Sequence, residues 1–295
     1  MSLRAGPWFE GTYGTVSPTQ GVTFADAVIE RFRALGVPLK PGNRLERARQ
    51  VAAELSAGRL TVRREDAGAR EWAAEALRTI WEFALIANTV PSGHPPTIAK
   101  LEAMLTGAAL PRADLNSKGR DTQFELLVAA LFAAGDVRIR GEEPDLRFEL
   151  DGRELGLAVK RVRSVKKLAM RLSKGAAQLQ GNGVDGLIVV NVEPFLDGLS
   201  TEGGAEAAGR RFDARVVPLH RLFPKVAGKK RVLGVIGAGT VPEWSFEGPR
   251  LSFSIAWFQQ FRWFVEDPAE QARTDAFFAG VRTHTETRLT EFFQP

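Results

Sequence analysis

Residues 142–161, EEPDLRFELDGRELGLAVKR, decide the fold. Two alternating runs flank Asp151-Gly152, a dipeptide that favours a two-residue type I′ hairpin because both residues tolerate positive φ. With those two residues as the loop, Leu150 faces Arg153, Asp145 faces Ala158 and Glu143 faces Lys160. Leu146, Phe148 and Leu150 then share an apolar face with Leu155, Leu157 and Val159. The opposite face carries Asp145, Arg147 and Glu149 with Glu154, Gly156, Ala158 and Lys160. A three-residue loop would flip one strand and bury its charges, so the apolar pattern excludes it. A four-residue loop keeps the faces and moves Lys160 opposite Asp145. In both of the remaining registers the carboxylate and the ammonium lie roughly 5 to 7 Å apart at Cβ. An ordinary cross-strand ion pair has the same geometry and contributes only ~0.2–1 kcal/mol, so its neighbours decide its meaning.

Those neighbours form an ordered set. TQFELLVAALFAAG ahead of the hairpin reads as a helix ending at Gly135, followed by the short strand VRIR. Behind it, SVKKLAMRLSKGAAQLQ reads as a helix capped by Ser164, with Val165, Leu168, Leu172, Ala176 and Leu179 as its buried stripe. Lys167, Arg171, Lys174 and Gln178 trace a second face of the same helix. GLIVVNV, RVLGVIG and RLSFSIAW read as further strands, and a last helix covers about 268–290. Helix, three strands, helix, strand is the order of a mixed α/β core. Before residue 107 the pattern is helical, with stripes in FADAVIERFRAL, RLERARQVAAEL, AREWAAEALRTIWEFALIANTV and PPTIAKLEAML. GAALPRADLNSKG at 107–119 is the candidate linker, which divides the chain into a helical N-terminal domain, 1–115, and an α/β core, 116–295.

Composition narrows the chemistry. With 44% hydrophobic and 25% charged residues over 295 positions, the chain has the make-up of a globular protein. It has no cysteine, so disulfides, thiolate nucleophiles and cysteine metal sites are excluded. The apolar run LLVAALFAA is too short to cross a bilayer, and MSLRAGPWFEGTYG lacks a signal-peptide core, so a cytoplasmic protein with no membrane contact is expected. The net charge is only +5, but Lys160, Arg161, Arg163, Lys166, Lys167, Arg171 and Lys174 form a block without one acid. Such a block suits a polyanionic partner, since lysines and arginines along a helix can track a phosphate backbone.

The set resembles the PD-(D/E)xK nuclease superfamily, of restriction-endonuclease-like fold, over roughly residues 117–192. Glu125 stands on the first core helix, Pro144-Asp145 opens the second strand, Lys160 closes the third, and Gln178 lies on the second helix. Ala158 occupies the position of the usual second acid. The resemblance implies a divalent-metal-dependent nuclease, most often a DNA endonuclease in restriction, repair or defence, using Mg²⁺ or Mn²⁺. It implies Asp145 as central ligand, Glu125 as a second ligand with Glu143 in reserve, and Lys160 as the cation at the scissile phosphate. Arg161, Arg163, Lys167, Arg171, Lys174 and Gln178 are the expected nucleic-acid contacts. Glu154 shares the polar face but lies roughly 13 Å along the strand from position 158, too far to replace the acid. Because of Ala158, a nuclease-fold protein that binds nucleic acid without cutting it is the alternative. The N-terminal helices are then expected to meet target, partner or the second subunit of a homodimer.

Three weaker signals point elsewhere. GVIGAGTVP at 234–242 lacks the third glycine of a dinucleotide loop and reads as a strand running into a turn. His94, His220 and His284 have no ligand spacing. The aromatic cluster AWFQQFRWF reads as core rather than as a base-stacking platform.

Overall fold

The computed structural model describes residues 9–63, 65–89, 97–110, 118–193, 209–210, 212, 214, 216–247, 250–264 and 267–293. Strand β1 (Phe9–Val16) precedes helices α1 (Pro18–Ala34), α2 (Arg44–Ser56), α3 (Ala67–Thr89) and α4 (Ile98–Met104). Helix α5 (Lys118–Ala134) leads into β2 (Ile139–Arg140), β3 (Leu146–Leu150) and β4 (Arg153–Arg161). Then come α6 (Val165–Gly181), β5 (Gly186–Asn191), a 3-10 segment (Val217–Lys225), β6 (Val232–Glu247), β7 (Arg250–Trp263) and α7 (Pro268–Phe293).

The seven strands form one mixed sheet in the order β1-β7-β6-β5-β4-β3-β2. β2, β3 and β4 are an antiparallel meander, β4, β5 and β6 run parallel, and β7 and β1 close the far edge antiparallel. Helix α6 is the crossover between parallel β4 and β5, as a parallel pair requires. Alternate strand residues enter two cores. Leu155, Leu157, Leu187 and Val189 pack with α5 and the N-terminal helices, while Ala158, Ile188 and Val190 pack with α6 and the 3-10 segment. The chain is therefore α/β, with a mixed sheet covered by helices on both sides.

The hairpin takes the two-residue register. Leu146 pairs with Leu157, Phe148 with Leu155 and Leu150 with Arg153, and the turn residues Asp151 and Gly152 have φ of 51° and 76°. The reason is the apolar stripe: Leu146, Phe148, Leu155 and Leu157 are all nearly inaccessible, and a one-residue slip would expose them. The opposite face is not open at its centre. Gly156 and Ala158 lie under α6, and a Cβ on Gly156 would meet Pro144, Val184 and Leu179 at 2.8 to 3.0 Å. The neighbouring Gly186 is tighter still, since a Cβ there would fall 1.9 Å from the Gly156 carbonyl oxygen.

Several expectations need correction. The N-terminal region is not all helical, because Phe9–Val16 forms β1 against β7. FEGTYGTV carries the aromatic and β-branched residues that strands favour, but its two glycines hide the alternation. Helix α1 starts six residues before the apolar stripe of FADAVIERFRAL, at Pro18. Ser17 and Gln20 make a capping box there, each side chain bonding the other's backbone N–H. GVIGAGTVP continues as strand through to Glu247 instead of turning. Ser164 is the N-cap of α6 by position, yet its side chain makes no capping bond, and Val165 is 41% exposed rather than part of the stripe. Residues 111–117 of the candidate linker lie outside the described residues. The aromatic residues Trp257, Phe261 and Trp263 are buried, as core residues should be.

The N-terminal helices are tied to the sheet by buried charge. Glu75, Arg78 and Glu82 lie on one face of α3, all almost inaccessible. Glu75 accepts from Arg78 and, at 2.9 Å, from Arg120 of α5. Glu82 accepts from Gln123 and, at 2.5 Å, from Thr240 of β6, while Arg78 also pairs with Glu193 beyond β5. Glu75, Arg78, Arg120 and Glu193 offset one another's burial by charge pairing, whereas Glu82 is met by the neutral donors Gln123 and Thr240, and burial pushes its carboxyl above the usual range.

Candidate active site

The site forms where β4 outruns β3. Their ladder ends at the Leu146–Leu157 pair, whereas the ladder of β4 with β5 continues to Arg161 and Asn191. Val159 and Lys160 therefore have no β3 residue beside them. The carboxylate of Asp145, one residue before β3, takes that place. Its Oδ2 accepts the Val159 N–H at 2.7 Å and the Lys160 ammonium at 2.6 Å. The same ammonium lies 3.1 Å from the Val159 carbonyl oxygen. Gln178 of α6 donates to Asp145 Oδ1 at 3.0 Å and to Glu143 Oε2 at 2.9 Å.

Asp145, Lys160, Gln178 and Glu143 are thus gathered in one cluster, but by a different route from the register argument. Asp145 does not face Ala158, and Glu143 does not face Lys160, because β3 starts only at Leu146 and the chain turns at Glu143-Pro144. Glu143 is exposed and reaches the cluster through Gln178 alone. Glu154 is also exposed and bonds Arg140 and Arg147, remote from the Asp145 cluster, in accord with its distance along the strand.

An open groove of about 730 Å³ passes over this cluster. Its floor is Asp145, Val159, Lys160 and Arg161. Lys118, Asp121, Thr122 and Glu125 of α5 form one wall, and Arg171, Lys174, Ala177 and Gln178 of α6 form the other. Of the expected contacts, Arg171, Lys174 and Gln178 line it. Lys167 and Arg163 are exposed but do not line it. Arg161 reaches it with a side chain only 4% exposed and 4.0 Å from Asp121, so it is a buried floor residue rather than a surface contact. Sequence reading missed Lys118, Asp121 and Thr122, although with Glu125 they stand at the i, i+3, i+4, i+7 spacing of one helix face.

Electrostatics single out Asp145. Burial pushes its carboxyl up to about 6, and the Glu125 charge adds to the rise. The Lys160 ammonium and the Val159 N–H pull in the opposite direction without cancelling it. Glu125, the other groove carboxylate implicated by sequence, is paired with Lys100 of α4 at 2.5 Å. Lys100 is a further residue that sequence reading missed, since it lies beyond the candidate linker and belongs to no local pattern.

Ala158 is fully buried in the apolar layer beneath α6. An acid at this position would have to displace that layer, so the carboxylates that line the groove beside Asp145 are those of α5, Asp121 and Glu125. Among the described residues no three of His, Cys, Asp and Glu converge closely enough to hold an ion alone. The donor set nevertheless suits a hard cation. Asp145 Oδ2 and the Val159 carbonyl already share one cationic group, the Lys160 ammonium, and Glu125 lines the same groove. Mg²⁺ commonly takes one or two carboxylates and completes its shell with water and substrate phosphate.

No protein-family model, curated protein or solved structure matches the chain.

Proposed function

We propose that the chain is a divalent-metal-dependent nuclease of the restriction-endonuclease-like type that hydrolyses phosphodiester bonds, with DNA as its principal substrate. The observation that carries this reading is the Lys160 ammonium held between Asp145 Oδ2 and the Val159 carbonyl on the floor of a groove walled by Lys118, Arg171 and Lys174. The order α5, β2, β3, β4, α6, β5 supports it as well.

Asp145 and Glu125 would hold Mg²⁺ or Mn²⁺, with the Val159 carbonyl as a third donor. Once bound, such an ion polarises the phosphate and lowers the pKa of a water molecule. The chain's residues do the rest. Arg171, Lys174 and Lys118 seat the backbone phosphates through charge, largely irrespective of sequence. Lys160, freed from Asp145, turns its ammonium to the charge that grows on the phosphoryl oxygens. Gln178 keeps Asp145 oriented by holding Oδ1 while Oδ2 exchanges partners.

A second reading rests on one observation. Asp145 is already neutralised by Lys160, and Ala158 supplies no acid, so a protein that binds nucleic acid in this groove without cutting it would have the same residues. Incubation with plasmid, single-stranded DNA and RNA across Mg²⁺, Mn²⁺ and Ca²⁺ separates the two. The nuclease reading predicts cleavage in Mg²⁺ or Mn²⁺ that is lost in Asp145→Asn and Lys160→Ala. Salt-dependent binding with no cleavage in any divalent ion establishes the second reading, and absence of both binding and cleavage refutes the pair.

A further inference from the structure

Of the three carboxylates that line the groove, Asp121 lies 4.0 Å from Arg161, and the other two each hold a lysine. Asp145 holds Lys160 from the end of β4, and Glu125 holds Lys100 from α4, on the N-terminal side of residues 107–119. The Lys100 and Glu125 side chains are 38% and 19% exposed, so this pair is reached by solvent while the carboxylate borders the groove.

We infer that Lys100 is a positioning residue that couples cation binding to polyanion binding. The inference rests on the proposed metal-dependent reading of the groove. An ammonium and a divalent ion compete for the same carboxylate oxygens, so a cation that engages Glu125 must displace Lys100. A lysine displaced in this way loses its counter-charge next to a wall of the groove that also carries Lys118. A phosphate backbone lying in the groove restores that counter-charge. Cation and nucleic acid therefore bind cooperatively, and by linkage each raises the affinity for the other by the same factor. This gives the N-terminal helices a task at the catalytic groove: α4 delivers a cation that is masked until substrate and metal are both present. The exchange is cheap because a solvent-reached ion pair is a weak one.

The test measures Mn²⁺ binding by the loss of the free-ion electron paramagnetic resonance signal, with the full chain, alone and with a short DNA duplex of arbitrary sequence. Lys100→Met removes the competitor, so it binds Mn²⁺ alone about two- to fivefold more tightly than the wild type, the range an exposed ion pair spans. The same variant shows a smaller mutual tightening of Mn²⁺ and duplex. Lys100→Arg keeps the pair and returns Mn²⁺ affinity to the wild-type value, which separates competition from damage to the fold. Equal or weaker Mn²⁺ binding by Lys100→Met overturns the inference. Undiminished Mn²⁺ affinity in Glu125→Gln also overturns it and removes Glu125 from the proposed ligand set, while a nuclease that holds its ion through Asp145 and the Val159 carbonyl still stands. A wild type that binds no Mn²⁺, with or without duplex, removes both the inference and the reading beneath it.

Discussion

Replacing Asp145 by Asn should stabilise the protein at neutral pH. The folded carboxyl titrates at about 6 against a reference of 3.8, chiefly because it is buried, although Lys160, Val159 and Gln178 all donate to it. At roughly 1.4 kcal/mol per unit, the rise of about two units corresponds to a penalty near 3 kcal/mol for carrying the charge in the folded state. The Asp145 side chain is one-fifth exposed, so solvent screening brings the expected range to about 1–3 kcal/mol. The sign follows from the direction of the rise. A carboxyl that is harder to ionise when folded gives its full stabilisation below about pH 4, where it is protonated in both states. That contribution is lost as pH rises through the folded value near 6. Asn mimics the protonated form at every pH. Urea denaturation of both proteins between pH 4 and 8 should therefore show the Asn variant gaining on the wild type up to about pH 6 and holding a constant lead above it. An Asn variant less stable than the wild type at pH 7 would refute the reasoning, since the Lys160 pair would then outweigh the burial of the carboxylate.

Other outcomes follow from the same geometry. Lys160→Ala should lower the cleavage rate by a factor of about 10² or more, the usual effect of losing one charge-stabilising donor, measured by single-turnover cleavage. Changing Lys118, Arg171 and Lys174 together to Ala should make the plot of log affinity for duplex DNA against log salt shallower by about 2 to 3, with affinity falling on all sequences alike. Arg78→Met leaves Glu75 and Glu193 without their shared buried cation and should cost about 3–5 kcal/mol in urea denaturation.

Much of the site was legible because local rules agreed with the fold. The Asp151-Gly152 turn and the apolar stripe of Leu146, Phe148, Leu155 and Leu157 each specify the same register, so β3 and β4 could be placed from twenty residues. That register brought Asp145 and Lys160 together on paper. What brings them together in the molecule is different: the ladder stops at Leu146, and the Asp145 side chain substitutes for the missing strand. Strand ends are set by turns such as Glu143-Pro144 and by the helix that covers them, neither of which a pairing rule contains. In the sequence, position 158 stands as an absent acid on a polar face, but α6 covers it, and no periodicity in the hairpin reports what lies above a sheet. The charges of α3 were equally hidden. Nothing in the helical stripe of AREWAAEALRTIWEFALIANTV says what Glu75, Arg78 and Glu82 meet, and the tertiary partners Arg120, Gln123, Thr240 and Glu193 make them interior residues. Lys100 was beyond reach for the same reason, since its partner Glu125 is 25 residues away across the candidate linker.

Crystals soaked in Mn²⁺ and measured for anomalous scattering test the central claim most directly. The account predicts a peak in the groove, coordinated by the Asp145 carboxylate, with the Lys160 ammonium moved off Oδ2 toward the open groove. A saturating soak that leaves Lys160 bonded to Asp145, with no peak at that carboxylate, would contradict it.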